Sequence, residues 1–568
     1  MHNFYVHEIK ADVVVVGGGG AAVRAALSAG RAGAHVHLLA KAPLRVGGST
    51  VHGASEIMGI GAAAGLGVEQ DNPEVHYRDT ISLARGFIDP HLVRILAEDA
   101  PRRIEDLLAM GMPFDRKDGR LSLIRSDFGS YARVLTAGGK TGKAIVTTLM
   151  GGFEDAGVQV QAPVAVLDLV RDQNGEICGV LAYHTESRRL LHYRTTSVVL
   201  ASGGMHGAFG QQVSTREMTG DGQAISYRHG AELVNLEFHQ FGPALVHPYV
   251  QLFSKSLYAI EPRITNQAGH EFLADYLPDG VSVSEVLQEK VFPFTTSNAS
   301  RYLDIAIARE VAQGRGGPHD NVYFSYEHVP KERLAAVAPN TLRWMAANGL
   351  DMRRDKLSVG LAFQCMNGGV RMASVHAESS IPGLFVAGEV AGGVRGPDRP
   401  GGNSLAEGQV FGHRAGVAAA ARAETTTLGQ AATLEKTLRY LSSGLAAADG
   451  PEYDMEADAL RLSMQRHCLV EKDGAGLGAV LAQAQALSEK LEQRPSFNWE
   501  NLVVRLGLRN LAQMSAIVLT ACRNRTETRG SHYRLDHPQE DPLQARSQVL
   551  SGTDSGEIIS RPFSYTAD

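Results

Sequence analysis

The 568-residue sequence has few cysteines and no long apolar run. Its four cysteines, Cys178, Cys365, Cys468 and Cys522, are far apart along the chain and form no CxxC pair. We therefore expect neither a disulfide framework nor a ligand set for an iron–sulfur centre, which would have to lie on another chain. The longest apolar stretches, such as the one around Val13–Val16, are far shorter than the roughly 20 residues that cross a bilayer, so no transmembrane helix is expected.

A concentrated charge of one sign is also absent. The formal net charge is −6 and the basic residues are scattered, which argues against a nucleic-acid partner. Residues 1–8 have neither the basic nor the apolar region of a secretory signal. The sequence therefore predicts a cytoplasmic protein.

Glycine, in contrast, is abundant and concentrated in motifs. The 62 glycines exceed the usual share by about half. Hydrophobic residues at 44% and charged residues at 20% are near globular averages. A chain of this length predicts roughly two to four domains around a large core, which fits an enzyme better than a small module.

The first glycine motif follows a β-branched run at residues 12–16 and precedes an alanine-rich segment, which predicts a strand, a tight turn and a helix. In this G-x-G-x-x-A pattern Gly17 permits the turn, Gly19 permits close backbone approach to a pyrophosphate, and Ala22 permits helix–strand packing. The helix N-terminus would direct its free N–H groups at the phosphates. A second strand at residues 34–40 completes a βαβ unit, although Lys41 stands where an acidic ribose-binding residue is usual. A structural turn without a nucleotide is the alternative interpretation.

Further motifs follow in a fixed order. They are Gly47-Gly48-Ser49-Thr50, Lys140-Thr141-Gly142, Ala201-Ser202-Gly203-Gly204, Thr219-Gly220-Asp221-Gly222, Gly388-Glu389, Gly401-Gly402-Asn403-Ser404-Leu405, Gly412-His413-Arg414-Ala415-Gly416 and Glu527-Thr528-Arg529-Gly530-Ser531-His532. With these motifs the sequence resembles the flavoprotein subunits of succinate dehydrogenase and fumarate reductase, a family that also contains L-aspartate oxidase.

The resemblance implies FAD as the cofactor. Asp221 would hold the adenosine side, with a turn or N-cap aspartate as the alternative, and Glu389 would contact the ribityl chain. Ser49 stands where some members have a histidine bonded to FAD, which implies non-covalent binding. The implied cofactor-binding residues are Gly17, Gly19, Gly20, Ala21, Ala22, Lys41, Gly48, Ser49, Thr50, Gly204, Asp221, Glu389, Asn403, Ser404 and Leu405.

The expected fold is α/β. A Rossmann-like FAD-binding domain would comprise residues 1–235 and 356–425, with an inserted α+β capping domain at 236–355. A C-terminal helical domain is expected at 426–540 and a tail, adding a strand or an arm, at 541–568. Substrate would bind between the FAD-binding and capping domains.

The resemblance is weaker at the reaction centre. Gly242 and Gln364 stand where the family has histidines that clamp substrate, and Arg395 stands where many members have histidine. Arg399 matches the family. We therefore predict that Gln364, Arg395 and Arg399 bind substrate and that Arg399, with Arg395, holds a carboxylate. A salt bridge between loops is the alternative.

Several side chains are candidates for the group that moves the proton. The catalytic candidates are Arg301, Arg399, Glu237 and His239, with Cys365 as a further acid–base group. Arg301 lies one position from the family's relay arginine, and a surface helix arginine is equally consistent with its position. Glu237 and His239 equally suit structural roles.

The predicted function is hydride transfer between flavin and a carboxylate-bearing small molecule other than succinate, fumarate or aspartate. One alternative is a flavoprotein subunit that exchanges electrons with a ferredoxin-like iron–sulfur partner. Another is a non-catalytic FAD-binding scaffold. No metal site is predicted.

Overall fold

The centre of the protein is a five-stranded parallel sheet. The computed structural model describes residues 4–446, 453–553 and 557–565. The strands lie side by side in the order Leu384–Val386, Ser197–Leu200, Val13–Val16, Val36–Leu39 and Gln159–Gln161. Because both faces are covered, the four valines of Val13–Val16 are 0–9% exposed. The predicted βαβ unit is present.

Two long helices cover one face of this sheet at close distance. Helix Gly20–Arg31 packs along helix Asn403–Thr425. A Cβ atom at Gly412 would lie 2.7 Å from the Ala21 carbonyl oxygen, and one at Gly416 would lie 2.3 Å from the Ala25 carbonyl oxygen. These two glycines, four residues apart on one helix face, therefore permit the close approach of the backbones.

A second sheet and several helices complete the cofactor-binding part. The sheet contains Val6–Lys10, Arg189–Arg194, Ile177–His184 and Val164–Arg171 in that order. The helices of this part are Ser49–His52, Pro73–Ala84, Pro90–Ala109, Thr141–Met150 and Asp221–Arg228. Short strands pair in the remaining small sheets: Gly59–Gly61, Val134–Thr136 and Leu123–Ile124; Arg116–Lys117 and Arg120–Leu121; Glu471–Lys472 and Tyr533–Arg534.

The cap is built on an antiparallel sheet. Its strands are ordered Gln251–Leu252, His239–His247, Leu357–Met366, Val322–Ser325 and Arg263–Thr265. Its helices are Lys255–Tyr258, Val283–Gln288, Arg301–Ala312, Lys331–Val337 and Pro339–Ala347. Strand Leu357–Met366, which the sequence analysis assigned to the FAD-binding domain, pairs with His239–His247 and so extends the cap sheet.

The C-terminal region is helical, as expected. It contains Leu434–Ala446, Asp454–His467, Gly474–Gln493 and Leu502–Asn524. The expectation that no segment is apolar enough to span a bilayer is corrected by the last helix. Leu502–Asn524 has 23 residues and contains a window with a mean hydropathy of 1.4, which is enough by length and composition alone. However, 78% of its apolar window is buried inside the protein, as in the core helix of a globular fold. Scattered polar residues such as Arg505 and Asn510 interrupt its apolar run in the sequence.

The C-terminal tail returns to the cofactor-binding part. Its strands Ser547–Gly552 and Ile558–Phe563 form a hairpin. The hairpin extends a sheet that also contains Leu233–Val234, Gly369–Arg371 and Ala391–Gly392. The tail therefore adds two strands, where one strand or an arm was expected.

Candidate functional site

A deep cleft opens at the carboxyl ends of the parallel strands, where open α/β sheets bind their ligands. Its volume is about 1770 Å³, which includes the solvent-filled space at its open mouth. Of the fifteen predicted cofactor residues, only Ala22 and Asn403 do not line it. The residues that do line it are Gly17, Gly19, Gly20, Ala21, Lys41, Gly48, Ser49, Thr50, Gly204, Asp221, Glu389, Ser404 and Leu405.

Glycines form the floor of the cleft because side chains would not fit there. Gly17 has φ +131°, and a Cβ atom at this position would lie 2.2 Å from the Ala201 carbonyl oxygen. A Cβ atom at Gly204 would lie 2.4 Å from Oε1 of Glu389. Helix Gly20–Arg31 begins at this floor after Gly19, which has no side chain to cap it; the Gly20 amide donates to Oγ1 of Thr50 (3.3 Å), and the next N–H groups of the first turn are left for a ligand. This cradle fits the pyrophosphate of a dinucleotide.

A partly buried ion pair lies along the cleft wall. Lys41 pairs with Asp221, which also accepts hydrogen bonds from Oγ1 of Thr219 (2.8 Å) and Nδ2 of Asn510 (2.8 Å). Burial raises the pKa of Asp221, but Lys41 and the two hydrogen bonds outweigh burial and lower it. Asp221 therefore stays ionised and can accept hydrogen bonds from a ligand.

Glu389 lies on the opposite side, in the short turn Gly388–Val390. Its Oε1 accepts a hydrogen bond from the Met366 amide (3.2 Å), and its Oε2 accepts one from Oγ of Ser49 (3.5 Å). No histidine is among the described residues that line the cleft. The wall therefore offers carboxylate and hydroxyl groups around the cofactor and no imidazole for a covalent bond.

The second helix begins at the cleft after Gly402, whose φ is +88°. Ser404 and Leu405 line the cleft, but Asn403 points elsewhere: its Oδ1 lies 2.9 Å from Nε2 of His76 and its Nδ2 donates to Oγ1 of Thr80 (3.0 Å). Asn403 thus fixes the start of the helix and does not contact the cleft. The helix N-terminus is left to stabilise negative charge in a bound ligand.

The two predicted substrate arginines have different surroundings, although both line the cleft. Arg395 is paired: its Nε lies 2.9 Å from Oε2 of Glu407, and its other nitrogens donate to the carbonyls of Met366 (3.1 Å) and Ala391 (2.7 Å). The contacts of Arg395 therefore match the alternative interpretation, in which this arginine forms a structural salt bridge.

Arg399 is buried, at 7% exposure, without such a partner. Its Nε and Nη2 donate to Oε1 of Gln240 (3.2 and 2.6 Å), and its Nη1 donates to the Pro400 carbonyl (3.2 Å). Within the part of the chain that the structure describes, no carboxylate lies within ion-pair distance of it. Burial lowers the pKa of Arg399 below the ordinary arginine value. The cleft therefore contains a desolvated cation that forms no ion pair, although the charge of Glu407 acts on it at longer range.

The other predicted catalytic residues do not line the cleft. Glu237 is fully buried and pairs with Nε of Arg525 at 2.6 Å. Nε2 of His239 lies 2.9 Å from the Leu236 carbonyl. Arg301 donates to the Thr296 carbonyl (2.7 Å). The structure therefore does not bring these three side chains to Arg399, and their catalytic roles stay a prediction.

Gln364 and Cys365 do line the cleft. Burial raises the pKa of the Cys365 thiol to about 11, and its Sγ donates to Oε1 of Gln240 (3.1 Å). This neutral thiol is unsuited to act as a base near neutral pH.

A second cavity was missed by the sequence analysis. It encloses about 940 Å³ to its open mouth and is lined by residues 125–130, Lys255 and Val291. Oγ of Ser126 donates to the Gly401 carbonyl (3.0 Å), which connects this cavity to the start of the second helix. Arg125 and Lys255 supply positive charge, and Asp127 supplies a carboxyl whose pKa burial raises. These residues belong to no pattern in the sequence that would have identified them.

The chain matches two family models. A model described as FAD binding domain matches residues 12–405, and one described as fumarate reductase flavoprotein C-term matches residues 457–563. A fumarate reductase (CoM/CoB) subunit of Methanothermobacter marburgensis is 30% identical, covering 97% of this chain and 99% of that protein. The L-aspartate oxidase of Caulobacter vibrioides is 32% identical, covering 96% and 97%.

Solved structures share this fold. The Sdh1 chain of Mycobacterium smegmatis has a TM-score of 0.86 at 26% identity, covering 99% of this chain and 95% of that one. A chain of the Escherichia coli quinol fumarate reductase has a TM-score of 0.86 at 24% identity, covering 99% and 98%. The chain belongs to the family of succinate dehydrogenase and fumarate reductase flavoprotein subunits and L-aspartate oxidase, and it is an FAD-dependent oxidoreductase.

Proposed function

We propose that the protein transfers a hydride between flavin and a small molecule that carries a carboxylate or a comparable anion, and that Arg399 holds this anion. The observation that carries the proposal is the burial of Arg399 in the cleft without a carboxylate partner. An unpaired buried charge costs several kcal/mol, and the neutral amide oxygen of Gln240 offsets only part of that cost. A bound anion supplies the missing charge, and the planar guanidinium suits a carboxylate.

FAD, when bound, supplies the hydride chemistry. The protein positions the reactants. The amide groups at the start of helix Gly20–Arg31, with Lys41 and Asp221, hold the cofactor phosphates and ribose. The N-terminus of helix Asn403–Thr425 would stabilise negative charge on the bound cofactor. Arg399 orients the substrate, and the cap excludes water from the space between.

Arg399 is also the catalytic candidate that we retain at the cleft. Of the four predicted catalytic residues, it alone lines the cleft among the described residues. Burial lowers its pKa, which brings a guanidinium closer to donating a proton. Cys365 also lines the cleft, and its neutral thiol is unsuited to act as a base.

The substrate in this proposal differs from succinate, fumarate and aspartate. Gly242 stands where the resembling family has a clamp histidine, and a Cβ atom at Gly242 would lie 2.5 Å from the Phe292 ring. Phe292 therefore occupies the space of a larger side chain. Gln364, the other replacement, offers an amide in place of an imidazole. Several relatives are nevertheless named for fumarate or L-aspartate, which makes these compounds essential comparisons in any test.

Non-covalent binding of FAD is part of the same proposal. Ser49 lines the cleft at the position of the family's covalent histidine, and its hydroxyl points to Glu389. Acid precipitation of the purified yellow protein should release the flavin into the supernatant. Flavin that stays with the precipitate would contradict this part of the proposal.

The anion requirement is tested with matched ligand pairs. The oxidised holoprotein is titrated with a set of small carboxylic acids and with the corresponding primary amides, while the flavin absorption is recorded. We expect spectral changes with at least one acid and none with its amide, because only the acid pairs with Arg399. Equal responses to an acid and its amide would contradict the proposal.

A second candidate function is that of a flavoprotein subunit that exchanges electrons with a ferredoxin-like iron–sulfur partner. The observation in its favour is that relatives over the full chain are named as subunits, including a succinate dehydrogenase flavoprotein subunit of Oryza sativa. Gentle affinity purification with iron analysis tests it. Co-purification of a small iron-containing chain would favour this function, and an isolated flavoprotein that turns over with oxygen or a quinone would contradict it.

A further inference from the structure

Three buried side chains come together outside the cleft. Cys468 follows helix Asp454–His467, Cys522 lies in helix Leu502–Asn524, and His239 begins the cap strand His239–His247. All three are 0% exposed. Their potential ligand atoms lie within 4.8 Å of one another, and the two Sγ atoms are 3.9 Å apart. The cluster therefore joins the cap to two helices of the C-terminal region.

The ring of His239 lies beside the two cysteines and supplies the nitrogen ligand of the cluster. Nε2 lies 2.9 Å from the Leu236 carbonyl oxygen and Nδ1 lies 3.3 Å from the Cys468 carbonyl oxygen, and the shorter contact assigns the proton to Nε2. Nδ1, on the other side of the ring, is then unprotonated. Metal-binding histidines commonly donate their second ring N–H to a backbone carbonyl in this way.

The spacing of the sulfur atoms suits a metal ion. Two metal–sulfur bonds of about 2.3 Å span 3.9 Å when they meet at about 115°, an angle near the trigonal and tetrahedral values. Thiolate sulfur is preferred by soft ions such as Cu(I) and by Zn(II), and imidazole binds both. The complete burial of all three residues excludes bulk water as a further ligand.

The surrounding charge favours a monovalent ion. Lys472 is 0% exposed, and its Nζ donates to the carbonyls of Leu469 (2.8 Å) and Val470 (3.4 Å). No acidic side chain lies within ion-pair distance of it in the described ranges of the chain, whereas nearby Arg525 and Arg534 have carboxylate partners. Burial lowers the pKa of Lys472, whereas negative charge on the two sulfurs raises it and so favours the ammonium form when both are thiolates.

Charge balance then distinguishes the candidate ions. A monovalent ion with two thiolates carries a net charge of −1, which the ammonium of Lys472 neutralises. A divalent ion with two thiolates is neutral and leaves the ammonium uncompensated in a buried environment, which is costly.

We propose that His239, Cys468 and Cys522 form a buried three-ligand site for a soft monovalent metal ion, Cu(I), with Lys472 as the counter-charge. Binding replaces the two thiol protons, which are released to solvent, and forms two metal–sulfur bonds and one metal–nitrogen bond. No electron is transferred. The site stands independently of the flavin chemistry, and its role is to bind the cap strand to the C-terminal helices.

Copper transfer tests the site in the intact holoprotein. The reduced, metal-free protein is titrated anaerobically with Cu(I) as its coloured bicinchoninate complex, and loss of colour reports transfer to the protein. We expect one equivalent per chain for the wild type and for Cys178→Ser, a buried cysteine elsewhere. Cys468→Ser and Cys522→Ser should lose this transfer. No transfer to the wild type, or equal transfer to all variants, would overturn the proposal.

Spectroscopy of the wild type keeps the proposal testable if a serine variant fails to fold. X-ray absorption of the one-to-one copper complex should show two sulfur ligands and one nitrogen ligand. A shell of oxygen atoms, or of three or more sulfurs, would overturn the proposal. The proposal would also be overturned if the metal-free protein had two fewer free thiols than expected and a reductant restored them. That result would indicate a Cys468–Cys522 disulfide.

Discussion

The two arginines of the cleft should respond in opposite ways to loss of charge. In Arg399→Gln the substrate loses a charge-assisted contact of about 1.5–3 kcal/mol, so kcat/KM should fall by about 10- to 150-fold. The free energy of unfolding should not fall, because no carboxylate is left without its cation and the cost of an unpaired buried charge is removed. In Arg395→Gln the buried Glu407 loses its partner at 2.9 Å, which should cost about 3–5 kcal/mol of stability.

Two assays separate these effects. Equilibrium unfolding in urea, on FAD-loaded protein, reports stability, and steady-state kinetics with the substrate found by the matched-ligand titration reports catalysis. The reasoning would be refuted if Arg399→Gln lost as much stability as Arg395→Gln. It would also be refuted if Arg399→Gln kept wild-type kcat/KM, because Arg399 would then have only a structural role.

Three further predictions follow from buried positions. Gly204→Ala should lower the flavin-to-protein ratio, because the added Cβ would lie 2.4 Å from Oε1 of Glu389. The control Gly210→Ala should keep the full ratio, because its Cβ would meet nothing within 4 Å, and equal ratios in the two variants would contradict the prediction. Cys365→Ala should leave the pH profile of kcat unchanged from about pH 6 to 9, since the thiol pKa of about 11 keeps it neutral there; a lost limb of the profile would contradict this. Burial raises the pKa of Asp398 from 3.8 to about 6, so the folded state keeps a proton that the unfolded state releases, and stability falls as pH rises through this window. Asp398→Asn should therefore raise the free energy of unfolding by about 1–3 kcal/mol at neutral pH and not below about pH 4, and an equal effect at both pH values would contradict this.

The glycine cradle of the cleft could be predicted from the sequence because it depends on local geometry. Gly17 needs a positive φ and close approach to the neighbouring strand, requirements that its position between a β-branched strand and an alanine-rich helix makes visible. Gly204 was predicted from its motif, and it permits a close approach of Oε1 of Glu389. The structural role of Asn403 could not be predicted in this way, because its hydrogen-bond partners His76 and Thr80 are more than 300 residues away along the chain.

The different surroundings of Arg395 and Arg399 could not be predicted. Both are arginines in one short loop, and either could have held an anion. What separates them is the partner: Glu407 on the following helix for Arg395, and Gln240, 159 residues away, for Arg399. Glu237 shows the same limit, because its partner Arg525 is 288 residues away.

The cysteine pair shows how separation along the chain can mislead. Cys468 and Cys522 are 54 residues apart and form no motif, so the sequence offered no reason to place them together. Packing of helix Leu502–Asn524 against the end of helix Asp454–His467 brings their sulfurs to 3.9 Å. Only the tertiary fold contains this information.

Anaerobic reduction of the flavin tests the central claim most directly. The purified holoprotein is mixed with a panel of small carboxylates that includes succinate and L-aspartate, and the absorption of the oxidised flavin is followed. The account predicts rapid bleaching by at least one carboxylate, with this bleaching slowed by about 10- to 150-fold in Arg399→Gln. A flavin that no carboxylate reduces, while an uncharged donor reduces it rapidly, would contradict the account.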